Sequence, residues 1–200
     1  MSGRNCPWAQ LSLGAIVWAQ LSGAIVHGRN CNGTPKVMQT KFPATIMVFG
    51  VIESEGDVMP PYFFPKGVKV NTEEYLKVLK GHVLPWIKKA ARGRTFVWQQ
   101  DSAPCHTLRI SQKWLIEHFY DFVPPDVWPP NSPDLNPMDY FVWGAVERHT
   151  NKTPCYNKDE LVKRIKKEFK ALKKDLVIKS CARFRNRIEA IIAANGDFIE

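Results

Sequence analysis

Apolar residues dominate ATIMVFGVIE (residues 44–53), the pattern of a buried β-strand, and Val58–Phe64 reads as its returning partner across a Ser54-Glu55-Gly56 turn. Asn71 and Thr72 with Glu74 open a helix whose apolar side carries Tyr75, Leu76, Val78, Leu79, Val83 and Leu84, and Pro85 is expected to kink or end it. Arg94–Asp101 (RTFVWQQD) is a strand that finishes in a carboxylate. Ala103–Phe119 follows as a helix with Leu108, Trp114, Leu115 and Phe119 as its core stripe. A short strand is expected over Asp121–Val123. The six prolines of residues 124–137 then forbid helix or sheet interior.

Asn136 and Pro137 supply a helix N-cap and first position, and Tyr140, Phe141, Trp143 and Val146 continue that helix. Two more helices are predicted. Lys158–Lys174 has Leu161, Ile165, Phe169 and Leu172 at helical spacing, and Leu176–Asn195 stops at Asn195-Gly196. Hairpin, helix, strand, helix, short strand and helices together make an α/β layer fold with a mixed sheet flanked by helices.

The start of the chain is different. WAQLSLGAIV (8–17) is followed at once by WAQLSGAIV (18–26), and GRNC occurs at 3–6 and again at 28–31. The duplication is far shorter than a solenoid repeat. We expect residues 1–41 to be an irregular segment outside the domain and residues 42–200 to form the domain; the alternative is a hydrophobic helix docked on the core. Residues 5–26 carry no charge, but Gln10, Ser12, Gly14, Gln20, Ser22 and Gly23 interrupt the apolar run, so neither a membrane span nor a signal peptide is expected.

Two hundred residues with 44% hydrophobic content exclude a wholly disordered chain. The net charge is +9, and its distribution matters more than its size. Residues 148–187 hold 14 Lys/Arg and 4 Asp/Glu, a local +10, while the remainder holds 14 and 15, a local −1. Lys163, Arg164, Lys166, Lys167, Lys170, Lys173 and Lys174 crowd one helix, followed by Arg183, Arg185 and Arg187. Such a block is either a solvated helix face or a surface for nucleic-acid phosphates; the density favours DNA as a partner. KRIKKEFKALKK also has the composition of a nuclear-import patch, which points to the nucleus. Five widely spaced cysteines without a CxxC fit neither a disulfide framework nor a zinc site, and the adjacent Cys105 and His106 carry no ligand spacing. No GxSxG elbow or phosphate-binding glycine loop is present, and no small-molecule substrate is expected.

Two acids stand where chemistry can use them. Asp101 ends an apolar strand, the usual location of functional groups in open α/β sheets, and Asp139 lies in the first turn of the helix opened by Asn136, with 37 residues between them. A turn cap and a favourable helix dipole are the simpler roles for these residues. If the loop folds back, the two carboxylates converge, and a divalent cation between them offsets their repulsion.

QQDSAPCHT (99–107) and WPPNSPDLNPMDYFVWG (128–144) resemble the second and third catalytic blocks of mariner-type transposases, in the wider group with an Asp-Asp-Asp/Glu triad and a ribonuclease-H-like fold. GVKVNTEEYLKVLKGHVLPWI (67–87) and the ending NGDFIE are similar to that family as well. The resemblance implies that Asp101 and Asp139 are the second and third triad residues and bind Mg²⁺ or Mn²⁺. It further implies action on DNA by metal-dependent strand cleavage and transfer, and a possible homodimer. The family's first triad Asp lies on a strand ahead of the hairpin, yet residues 1–52 contain no Asp or Glu. Glu53, Glu55 and Asp57 are the earliest acids and fall near the hairpin turn. We therefore expect a domain that lacks its first strand, binds metal weakly and is catalytically deficient. A non-catalytic DNA-binding or interaction protein on the same fold is the alternative.

Overall fold

The computed structural model describes residues 15–25, 45–129, 132–153, 155, 157–197 and 199. Its sheet has five strands in the order β3-β2-β1-β4-β5. β1 (Ala15–Ile25) runs through the middle, antiparallel to β2 (Thr45–Glu53) and parallel to β4 (Phe96–Gln100). β3 (Tyr62–Phe63) pairs with the outer side of β2, and β5 (Asp121–Phe122) with the outer side of β4.

The expectation of a missing first strand is thereby corrected. The strand is present, and it comes from the duplicated segment expected to lie outside the domain, spanning the junction between the two copies. The physical reason lies in the composition of that segment. A central strand flanked by helices is buried on both faces and takes no charged residue, so a charge-free run containing Ala, Ile, Val and Trp suits it. β2 is consequently an interior strand, not a sheet edge.

Each face of the sheet carries its own core, and the two-residue period of β2 feeds both. Val48 and Ile52 pack with Met138, Val142, Leu161, Ile165, Phe169 and Val177 on one face. Phe49 and Val51 pack with Val17, Tyr75, Leu79, Trp98 and Leu115 on the other. The first face is covered by a π-type helical segment Met138–Trp143, α5 (Gly144–Thr150), α6 (Lys158–Ala171), α7 (Lys174–Ala182) and α8 (Phe184–Ala193). The second is covered by α1 (Thr72–Val78), α2 (Leu84–Ala91), α3 (Pro104–Thr107) and α4 (Arg109–His118).

Three helices depart from the pattern reading. Pro85 neither ends nor breaks the first helix: a π-type turn, Leu79–Val83, links α1 to α2, so the missing Pro N–H falls where the hydrogen-bond ladder has already changed register. The helix expected over Ala103–Phe119 breaks at Leu108, whose ψ of 141° is extended and whose side chain is 52% exposed, so Leu108 is not part of the core stripe. The last helix is two, α7 and α8, separated at Arg183. No helix among the described residues is long and apolar enough to cross a membrane.

Candidate metal and nucleic-acid site

Asp101 is the first residue after β4. Its Oδ1 accepts the Ala103 backbone N–H at 3.1 Å, a local turn that stops the strand and lets Pro104 open α3. On the far side of the loop, Asn136 Oδ1 accepts the Met138 N–H at 3.0 Å, and the Asn136 carbonyl accepts from the N–H groups of Asp139 (2.8 Å) and Tyr140 (3.0 Å). Asn136 thus caps the helical segment that begins at Met138, as its sequence position indicated.

That segment is seated directly on the sheet. A Cβ on Gly50 would lie 2.6 Å from Met138 Cε and 3.3 Å from the Trp143 ring. The absence of a side chain at Gly50 lets the segment approach, and this approach brings Asp139 over the end of the sheet where Asp101 emerges. Both acids line one cavity of about 430 Å³, with Ser102, Ala103, Trp128, Ser132, Pro133 and Asn136. Trp128 stacks on Phe184 at 6.2 Å between ring centroids and closes one wall. The loop folds back as the convergence of Asp101 and Asp139 requires.

The strand register identifies the third position. Ala19 pairs with Gln100 across the parallel ladder, so one further step along both strands brings Gln20 level with Asp101. In the antiparallel ladder Gln20 pairs with Gly50, the residue beneath Met138 and Trp143. By this register the β1 position next to Asp101 is Gln20, an amide residue. None of the three early acids lines the cavity. Glu53 Oε1 is 2.8 Å from Arg94 Nη2, Glu55 is 3.6 Å from Arg94 Nη1, and Asp57 is 3.5 Å from Lys174 Nζ. Glu53 is 1% exposed, and burial raises its pKa; Arg94 opposes that shift.

Sequence reading missed the partner of Asp101. His106 is fully buried, and its Nδ1 lies 2.5 Å from Asp101 Oδ1 and 3.2 Å from the Asp101 carbonyl oxygen. Burial pulls the imidazole pKa down, but hydrogen bonding to Asp101 and Cys105 outweighs it and lifts the ring to about 9. The usable signal was the five-residue offset from Asp101 to His106 across a turn, which the adjacency of Cys105 obscured. Cys105 itself is buried and free, as are Cys155 and Cys181. Among the described residues no group of three or more His, Cys, Asp or Glu side chains is arranged to hold a metal ion.

The basic residues divide. The Arg164 guanidinium is committed to the protein, donating to the Thr153 carbonyl at 2.8 Å and the Thr150 carbonyl at 3.3 Å and pairing with Glu160. Lys166 lies over the Phe63 ring at 5.6 Å, and Lys166, Lys170 and Lys174 border a groove against Val58, Pro60 and Pro61. Lys163, Lys167 and Lys173 are exposed. Leu161, Ile165 and Phe169 hold the opposite side of α6 in the core.

The chain is 29% identical over 122 residues to the "Transposable element Tcb2 transposase" of Caenorhabditis briggsae, a match covering 61% of this chain and 43% of that protein. It is also 29% identical over 123 residues to the "Transposable element Tc1 transposase" of Caenorhabditis elegans, covering 62% and 43%. The fold matches the "Mos1 transposase paired-end complex with left transposon end" with a TM-score of 0.79 at 19% identity, over 96% of this chain and 59% of that one. The "Crystal structure of the catalytic domain of Mos1 mariner transposase" matches with a TM-score of 0.70 at 19% identity, over 92% and 84%. The chain is thus similar in sequence to Tc1-type transposases and in fold to the catalytic domain of the Mos1 mariner transposase. Its architecture is the ribonuclease-H-like α/β fold that the sequence motifs implied. No protein-family model matches the chain, and the chain spans less than half the length of the curated relatives it matches. Other matching Mos1 structures are titled as paired-end complexes with Mn and with Mg.

Proposed function

We propose that this domain binds DNA and a divalent cation but performs strand cleavage and transfer poorly or not at all, because the first carboxylate of its triad is replaced by Gln20. The observation that carries the reading is the convergence of Asp101 and Asp139 on one polar cavity whose neighbouring β1 position, set by the ladder register, is an amide. The donor set fits a hard cation. Mg²⁺ takes oxygen ligands, usually only one or two of them carboxylates, and keeps water or phosphate oxygens on its remaining positions. Asp101 and Asp139 would hold the ion, and Ser102 and Ser132 offer hydroxyls on the cavity wall. When bound, such ions polarise a phosphate oxygen and activate the attacking water or hydroxyl. Two carboxylates neutralise less of the charge of an ion pair than three, which weakens both affinity and positioning. Lys163, Lys167 and Lys173 fit a role against the phosphate backbone, a contact that adds affinity without reading sequence. DNA as substrate places the work in the nucleus, with a second copy of the chain as the expected partner.

The test is a nicking assay with a labelled duplex carrying transposon terminal repeats, in Mg²⁺ and in Mn²⁺. No nicking above background is expected. Efficient nicking that Asp101→Ala abolishes would overturn the deficiency.

A further inference from the structure

We propose that His106 is a positioning residue that fixes the rotation of the Asp101 carboxylate, holding Oδ1 inward and leaving Oδ2 for a cation. The inference rests on the reading of Asp101 as a cation ligand. Among the described residues two donors reach this carboxylate, the His106 ring at 2.5 Å and the Ala103 N–H at 3.1 Å, and both converge on Oδ1. The carboxylate still lines the cavity and is 23% exposed, so its other oxygen is the one available to a ligand.

The imidazole is itself held on every side. Its ring packs on Tyr75 with 4.3 Å between centroids. Tyr75 donates its hydroxyl to Gln100 Oε1 at 2.6 Å, where Trp98 Nε1 also donates at 3.1 Å. Gln100 Nε2 returns a bond to the His106 carbonyl at 3.1 Å, and Gln112 Nε2 adds another at 2.6 Å. A closed network of buried groups from α1, β4 and α4 thus locks the backbone and ring of one histidine.

The arrangement is not built for stability alone. Among the described residues the buried Nε2 has no hydrogen-bond partner, an omission that costs free energy which an apolar side chain of similar size would not incur. Among the described residues the carboxylate that the ring addresses is that of Asp101. Outer partners of this kind orient ligands, and their loss typically lowers metal affinity by about 10–100-fold.

Two variants separate positioning from packing. His106→Met fills the volume and packs on Tyr75 but has no donor. His106→Asn keeps a donor close to the place of Nδ1 and loses volume. The full chain is titrated with Mn²⁺ by electron paramagnetic resonance, and thermal unfolding is measured without metal. His106→Met is expected to keep its unfolding temperature and lose about 10–100-fold in Mn²⁺ affinity. His106→Asn is expected to unfold at lower temperature and keep its affinity. Affinity that follows unfolding temperature, or two variants that bind as the native chain does, would overturn the proposal. Asp101→Asn separates the two levels. If it abolishes Mn²⁺ binding while His106→Met does not weaken it, only the positioning role falls; if it leaves binding intact, the cation site falls as well.

Discussion

Gly50 joins the sheet to the site, and filling it should loosen both. Alanine at this position sets a methyl 2.6 Å from Met138 Cε and 3.3 Å from two atoms of the Trp143 ring. Met138 is fully buried and Trp143 is 6% exposed, so neither side chain has solvent to retreat into. Overpacking a closed core costs about 1–3 kcal/mol. Against it stands the gain of about 0.4–1 kcal/mol from restricting the unfolded chain when glycine becomes alanine. The contact with rigid Trp143 puts this site in the upper part of the range, and the net loss is about 1–2 kcal/mol. For a chain of this size that is a fall of roughly 2–8 °C in unfolding temperature.

Gly81→Ala is the internal control. It sits exposed in the helical run Leu79–Val83, with nothing within 4 Å of its would-be Cβ. Helix propensity makes this change neutral or stabilising by up to about 1 kcal/mol. Differential scanning calorimetry of the two variants gives opposite signs if the packing argument holds. A Gly50→Ala protein as stable as the native chain would show that the Met138–Trp143 segment does not rest on the sheet at this point, and the convergence of Asp139 with Asp101 would lose its structural basis.

Four further outcomes follow from the same geometry. Arg94→Ala leaves the buried Glu53 carboxylate without its ion pair, a loss of about 1–3 kcal/mol at neutral pH. Because burial raises the folded-state pKa of Glu53, the penalty is full above that pKa and fades as pH falls through it toward the ordinary value of 4.5; urea unfolding should therefore show a smaller Arg94→Ala deficit at pH 5 than at pH 7, and an equal deficit would refute the assignment. Replacing Lys163, Lys167 and Lys173 by Ala should flatten the salt dependence of duplex binding by about 0.9 in slope for each phosphate that is no longer neutralised. Arg164→Ala should lower unfolding temperature while leaving that slope alone, since its guanidinium serves the Thr150 and Thr153 carbonyls. Gln20→Asp should raise Mn²⁺ affinity on the order of tenfold or more, as a carboxylate about 4 Å from a cation contributes roughly 1–4 kcal/mol per unit charge between water-like and surface-like dielectrics; unchanged affinity in calorimetry would detach β1 from the site.

What could be read from sequence was local. Asn71 caps Glu74 N at 2.9 Å and Asn136 caps Met138 N at 3.0 Å, because each cap is decided within three residues. The continuous apolar run of β2, buried on both faces, and the apolar stripe of α6, buried on one, were equally legible, since burial of a regular element leaves its mark in the sequence. Non-local facts were not. Nothing in AIVWAQLSGAI distinguishes a stray hydrophobic segment from a central strand; its two neighbours, 30 and 81 residues away at the pairs Gln20–Gly50 and Ala19–Gln100, make the difference. The break at Leu108 escaped notice because the leucine falls in phase with the stripe, although its side chain turns to solvent.

The proposed replacement of the first triad carboxylate does not depend on how β1 is aligned. A slip of one residue would exchange the two faces of the strand, and the duplicated wording makes longer slips conceivable from sequence alone. Yet residues 1–52 hold no Asp or Glu, so every alignment of this segment against β4 sets a residue without negative charge beside Asp101. On the proposed reading the fold keeps the strand while the site loses the charge. These are separable because they answer to different forces. A central strand needs apolar faces and a complete hydrogen-bond ladder, which an amide satisfies as well as or better than a buried carboxylate. Tight, well-positioned cation binding gains from the third carboxylate, and selection for the fold alone would not restore it.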